Sequence, residues 1–215
     1  MPKLMQGNRC HATKDRAPMP TELPNPKTTI LYSHRPKPFA AELELELTAF
    51  ELIATRGRSV QRFPLTAIEK VALVFSPRNT AHHAFACTLR ATDGKSVKFD
   101  SLSWKSLIET EKQNADYTRF VSALCERAEA MSPNVVLHAG VAPFKHMGML
   151  TMGIAMLIGL AGSSIYAFRS QSALIGGVAL FMLAYLAWWM RDYLTRNRPT
   201  RFKAASIPPS VLPRP

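Results

Sequence analysis

MGMLTMGIAMLIGLAGSSIYAF (147–168), RSQS (169–172) and ALIGGVALFMLAYLAWWM (173–190) stand one after another in this chain of 215 residues. Neither apolar block holds an Asp, Glu, Lys or Arg. At about 1.5 Å per residue, the first reaches about 33 Å as a helix and the second about 27 Å, close to the thickness of a bilayer's hydrocarbon layer. A helix in a soluble core is normally amphipathic, whereas these blocks are apolar all round. Tyr166 and Phe168 close the first; Tyr185, Trp188, Trp189 and Tyr193 flank the end of the second. Tyrosine and tryptophan favour the headgroup level, since each joins an apolar ring to a polar handle. The sequence therefore predicts a transmembrane helical hairpin over 147–190. The first residues carry no apolar signal run, so the hairpin is expected to act as its own insertion signal.

Basic residues set the expected orientation. Lys145 precedes the first block, and Arg191, Arg196, Arg198, Arg201 and Lys203 follow the second, while the connecting loop holds Arg169 alone. Positive flanks stay on the cytoplasmic side, so both termini are expected there, in a bacterial inner membrane. Most of the formal charge of +12 lies in the tails: residues 1–38 and 191–215 carry +5 each, against +1 for 39–146. Both tails are also rich in proline, and both are expected to be disordered. A basic tail beside a bilayer is attracted to anionic headgroups. Nucleic-acid binding would require a basic folded face, and the middle segment is nearly neutral.

Residues 39–146 are long enough for one small domain and a juxtamembrane linker. Leu43, Leu45 and Leu47 alternate with Glu42, Glu44 and Glu46, the two-residue period of a half-buried strand. A helical stripe through Leu43, Leu47 and Phe50 is the competing pattern; the strand is preferred because more strands follow. These are residues 51–55, 59–63, 67–75, 83–92 and 96–101, broken by Arg56-Gly57, by Pro64, by 76–79 and by the hairpin dipeptide Asp93-Gly94. Tyr117, Phe120, Val121, Leu124, Cys125, Ala128 and Met131 then recur at helical spacing, with Asp116, Arg119, Glu126, Arg127 and Glu129 on the polar side. Ser132-Pro133 ends that helix. The fold class is α+β: an antiparallel barrel or sandwich capped by one helix, then the membrane hairpin.

That order of elements resembles the pleckstrin-homology-like (PH-like) fold. The run Arg62-Phe63-Pro64-Leu65, followed by Ile68 and Val71, is similar to a segment of bacterial PH-like membrane proteins in which a basic strand leads into the next. The resemblance covers residues 40–132. It implies a binding and positioning role without catalytic residues, and such proteins often combine the domain with paired spans. Here the spans follow the domain.

Candidate chemistry is sparse. His82 and His83 would point to opposite faces of a strand and cannot readily share a metal. Cys10, Cys87 and Cys125 have no paired spacing, and the latter two read as small core residues. No phosphate loop, nucleophile elbow or zinc motif is present, so no catalytic, metal or cofactor residue is assigned. The candidate binding face is Arg56, Arg58 and Arg62, with Arg78 nearby, for anionic lipid headgroups or an acidic protein partner. Within the hairpin, Ala155, Gly159 and Ser163, with Ala173 and Gly177, are expected to pack the two helices, and any small-residue surface left over would serve homo-oligomerisation. Three functional classes follow. The first is a non-enzymatic membrane protein presenting a cytoplasmic interaction domain. The second is a small channel or transporter accessory subunit. The third is a lipid-acting enzyme using His82, His83, His138 or His146.

Overall fold

The computed structural model describes residues 29–77, 83–170 and 172–213. Four strands form a first antiparallel meander: β1 (Ile30–His34), β2 (Leu43–Leu47), β3 (Glu51–Arg56) and β4 (Ser59–Pro64). A short 3-10 turn at Leu65–Ala67 leads to β5 (Ile68–Pro77), β6 (His83–Ala91) and β7 (Ser96–Asp100), a second antiparallel meander. A small ribbon, β8 (Leu102–Trp104) with β9 (Thr110–Lys112), then precedes helix α1 (Asn114–Met131). The chain continues through β10 (Val136–Ala139), the long helices α2 (Pro143–Arg169) and α3 (Ala173–Arg196), and the two-residue β11 (Thr200–Arg201).

The alternation of leucine and glutamate resolves as a strand. Leu43, Leu45 and Leu47 are buried, while Glu44 is exposed and Glu46 half-buried. One face of each sheet closes on the other, and α1 lays its apolar stripe into the gap. Tyr117, Phe120, Val121, Leu124, Cys125 and Ala128 are all fully buried there, as the spacing requires. Tyr32, Phe99, Tyr117 and Phe120 meet with ring centroids 5.5–6.1 Å apart. The Tyr32 hydroxyl ties the two sheets by donating to the Asp100 carbonyl at 2.6 Å.

Tyr117 is different. Its hydroxyl is buried with no hydrogen-bond partner among the described residues. A buried polar group left unpaired costs about 1–3 kcal/mol. Tyr117→Phe is therefore expected to stabilise the head by about 1 kcal/mol, read as a raised urea midpoint at unchanged slope. A lowered midpoint would show that the hydroxyl is satisfied.

Arg127, placed on the polar side of α1 by the sequence pattern, is buried instead. Its guanidinium reaches back to donate to the carbonyls of Leu47 and Thr48 at 3.1 and 2.8 Å, closing the end of β2 onto the helix. Ser132, just after α1, similarly donates through Oγ to the Ile68 carbonyl at 3.3 Å.

The expectation of disorder is corrected where the tails are described, at 29–38 and 191–213. Residues 1–28 and 214–215 lie outside the described residues, but β1 occupies 30–34 and pairs with β2 throughout. At the other end, α3 runs on to Arg196 and the chain then returns to the head. β11 pairs with β10 through Ala139↔Thr200 and His138↔Arg201, and β10 itself lies parallel to β5. Beyond β11, Phe202, Ala204, Ile207 and Leu212 pack against the core, and Val211 is fully buried. The Ala204 amide donates to the Glu129 carboxylate on α1 at 2.7 Å. Isolated apolar residues in a basic, proline-rich segment suffice to hold it because they land on a core already built.

Candidate functional site: a basic cleft and the hairpin mount

Two places on the head combine unusual placement with polar side chains. The first is the β3–β4 turn. Gly57 has φ +58°, a conformation open to glycine, so the chain reverses within Gly57-Arg58 and pairs Arg56 with Ser59. Paired residues share a face. Arg56, Ser59 and Gln61 thus stand on the inner face at the mouth of the sandwich, in line with the buried Leu52, Ala54 and Phe63. The edge of β7 supplies Ser96, Val97 and Lys98 to the same gap, a cleft of about 380 Å³; Val97 comes from the buried face of the strand, Ser96 and Lys98 from its exposed face.

The structure therefore divides the three arginines that the sequence grouped. Arg56 lines the cleft. Arg58 sits in the turn, not in the strand. Arg62 lies on the outer face, where it forms an ion pair with Glu51 at 3.2 Å. The even separation of Arg58 and Arg62 would place them together only if both belonged to one strand, and β4 starts at Ser59. Arg78 and His82 lie outside the described residues. Lys98, which also lines the cleft, was invisible to local spacing because it comes from the other sheet.

The second place is where α2 and α3 meet the head. Gly140 follows β10 with φ +80° and donates its amide to the Leu73 carbonyl at 2.8 Å. A Cβ there would fall within the carbonyl oxygens of Asn197 and Arg198. Asn197, the residue after α3, is fully buried. Its side-chain oxygen accepts from the Phe75 amide at 3.1 Å, and its side-chain nitrogen donates to the Phe75 carbonyl at 2.8 Å. One side chain thus completes the edge of β5 like an added strand residue. The Val141 amide reaches the Asn197 carbonyl at 3.3 Å. Both ends of the hairpin are fastened to neighbouring strands of one sheet.

Both helices pass the length and composition expected of a membrane span, at mean hydropathy 1.7 and 1.9. They contact one another as an antiparallel pair: Gly153 abuts Met190, Ser164 donates to the Gly176 carbonyl at 3.1 Å, and the Phe168 ring lies against Gly176. This contact differs from the expected one. Ala155, Gly159, Ser163, Ala173 and Gly177 are exposed, and Gly159 and Gly177 face open space. The packed face of α2 carries Gly153, Ser164 and Ala167 instead, the last two buried. Small residues at four-residue spacing occur on more than one face of α2, so spacing alone could not choose between them.

The remaining candidates stay apart. His83 is exposed at the start of β6, His138 is buried in β10, and His146 is in the first turn of α2. Burial, followed by the charge of Lys70, lowers the His138 imidazole below its ordinary pKa. Burial raises the Cys87 thiol well above its ordinary value and pushes Cys125 up to about 12, with Glu129 and Glu126 adding to the second. Both are fully buried, protonated core residues. Cys10 lies outside the described residues. Among the described residues no group of three or more His, Cys, Asp or Glu is placed to hold a metal. No protein-family model matches this chain, and no curated protein matches it.

Proposed function

We propose that this chain is a non-enzymatic integral membrane protein whose cytoplasmic PH-like head presents the Arg56–Lys98 cleft to an acidic segment of a protein partner. The carrying observation is the mount: two exposed apolar helices leave and re-enter the head through adjacent strands, β10 and β11. Such a connection fixes the head against the surface from which the hairpin emerges. Four strands, three strands, a short two-stranded ribbon and a helix, in that order, support the PH-like reading. The basic flanks of the hairpin support a cytoplasmic head in a bacterial inner membrane.

Register argues for a protein partner over a headgroup at this cleft. Ser96 and Lys98 pair across β6 to Arg90 and Thr88, which lie opposite Lys70 and Ala72 of β5. The hairpin leaves beyond Leu73, toward Phe75. At about 3.3 Å per residue, the cleft is set back by roughly 10–17 Å along the strands, on the side away from the mount. A channel role has little to draw on. The hydroxyls of Thr151, Ser163 and Ser164 are all directed to helix carbonyls, and no ionisable group lies inside the apolar blocks to mark a path.

The test uses full-length protein in phosphatidylcholine nanodiscs and a fluorescent oligo-glutamate peptide. Arg56→Gln with Lys98→Gln is expected to weaken binding about tenfold and to flatten its salt dependence, as loss of two partly exposed charges should. Arg62→Gln, on the outer face, is expected to leave binding within about twofold. Equal affinity for the double variant and the parent would remove the cleft from the account.

A further inference from the structure

A second basic cavity lies at the foot of α3, about 470 Å³ in volume, its lining including His83, Lys112, Asn114, Arg196 and Ser210. Its walls come from β6, β9, the start of α1, the end of α3 and the segment returning over the head. None of the described lining residues is acidic. The Phe75 ring forms a shared support. The Arg196 guanidinium carbon lies 4.8 Å from its centroid, and the His83 ring lies 5.4 Å away. Arg196 directs Nε to Asp192 at 2.9 Å, and its two terminal nitrogens make no hydrogen bond to the described residues. Lys112 has no ion pair among the described residues, since the neighbouring Glu111 is taken by Lys105 at 3.2 Å.

Position adds what charge alone does not. The apolar block ends at Met190, and Arg196 lies six residues further along the same helix. Six residues rise about 9 Å, while one headgroup layer is about 5–8 Å deep. This placement rests on the membrane reading proposed above: with the apolar blocks in a bilayer, the cavity opens at the outer edge of the headgroup layer. A fork of guanidinium nitrogens, an ammonium, an imidazole, an amide and a hydroxyl are donors suited to the oxygens of a phosphate group.

We propose that this cavity binds a phosphate monoester, held by Arg196, Lys112 and His83 with Asn114 and Ser210 as neutral donors. The phosphate could be carried by a membrane lipid or by a soluble molecule; the chemistry recognised is the same. Because Ser210 belongs to the returning segment and Arg196 to the hairpin, occupancy would fasten three parts of the fold together at the bilayer surface. The site is separate from the Arg56–Lys98 cleft and does not depend on that cleft having a partner.

The experiment compares the parent with His83→Gln/Lys112→Gln, both exposed positions whose loss leaves the core intact, and with Arg62→Gln as a control. In one arm, inorganic phosphate is titrated into protein in phosphatidylcholine nanodiscs and thermal stability is read. In the other, nanodiscs doped with phosphatidic acid are used, and retained lipid is counted by native mass spectrometry after delipidation. The expected result is binding by the parent and the control, weakened about tenfold or more in the double variant. Loss confined to the first arm identifies a soluble ligand, and loss confined to the second a lipid; either supports the site. If neither probe binds the parent, or if the double variant matches it in both arms, the proposal is overturned. The phosphate arm does not require that α2 and α3 be buried in lipid, so its outcome is separable from the membrane reading.

Discussion

Asn197→Leu is expected to destabilise the head by about 3–5 kcal/mol, the largest effect of any single change where the hairpin joins it. The substitution removes two hydrogen bonds to Phe75 and leaves both that residue's amide and its carbonyl without those partners in a buried place. Each orphaned group costs about 1–3 kcal/mol. Small domains hold only about 5–15 kcal/mol in total, so about a fifth or more of the stability is at stake. Gly140→Ala should act in the same direction by a different cause. At φ +80° a side chain is strained by roughly 1–3 kcal/mol, and the new Cβ would meet the carbonyls of Asn197 and Arg198. Urea denaturation of the full-length chain in micelles, with hydrogen exchange resolved over β10 and β11, measures both. Protection of these strands should fall in both variants, and more than protection of β2 and β3. Unchanged midpoints and unchanged exchange would mean that the hairpin is not mounted in this way.

The second large effect concerns the helices themselves. Ile158 and Phe181 lie near the middle of α2 and α3, and both are exposed, at 68 and 65 %. If water surrounds them, an arginine at each should change stability by less than about 0.5 kcal/mol, as exposed substitutions usually do. If acyl chains surround them, each arginine should cost about 2.5–3.5 kcal/mol of insertion free energy, and the pair about 5–7. The two environments therefore differ by at least about fivefold in the expected penalty. The double variant Ile158→Arg/Phe181→Arg is expected to leave the membrane fraction and to be degraded or aggregated. Arg191→Gln, beyond the apolar block, is expected to stay inserted. Wild-type behaviour of the double variant would place the helices in water.

Much of this architecture was legible in the sequence because its elements repeat a period several times. Three alternating leucines made β2, seven residues at helical spacing made α1, and an uninterrupted run of uncharged residues made each long helix. Strands β8 to β11 have two to four residues each, too few to show any period. β1, with five, was hidden between proline-rich flanks whose composition reads as disorder. The return of residues 197–213 to the head was illegible for a deeper reason. Asn197 is a polar residue whose role exists only because β5 has an edge to complete, and that edge is a tertiary fact. The binding cleft was half legible. Arg56 stood out as part of a basic cluster, but Lys98, which also lines the cleft, arrives from the opposite sheet, and Arg62 is turned outward by strand alternation. The cavity at the foot of α3 gave no local signal, since its basic residues come from three distant segments.

The separation of the two basic sites gives the molecule a direction. One lies at the level where the hairpin joins the head, and the other is set back along the strands. On this account the β10–β11 mount holds both in fixed relation to the bilayer, so that a partner meets the Arg56–Lys98 cleft at a defined height and orientation.

The account rests on acyl chains being the solvent of α2 and α3, and flotation of the full-length protein tests that most directly. Membranes from cells producing it would be washed with alkaline carbonate, loaded beneath a density gradient and centrifuged. The account requires the protein to rise with the lipid and to be released only by detergent. Recovery in the dense, lipid-free fractions as soluble, folded protein would contradict it.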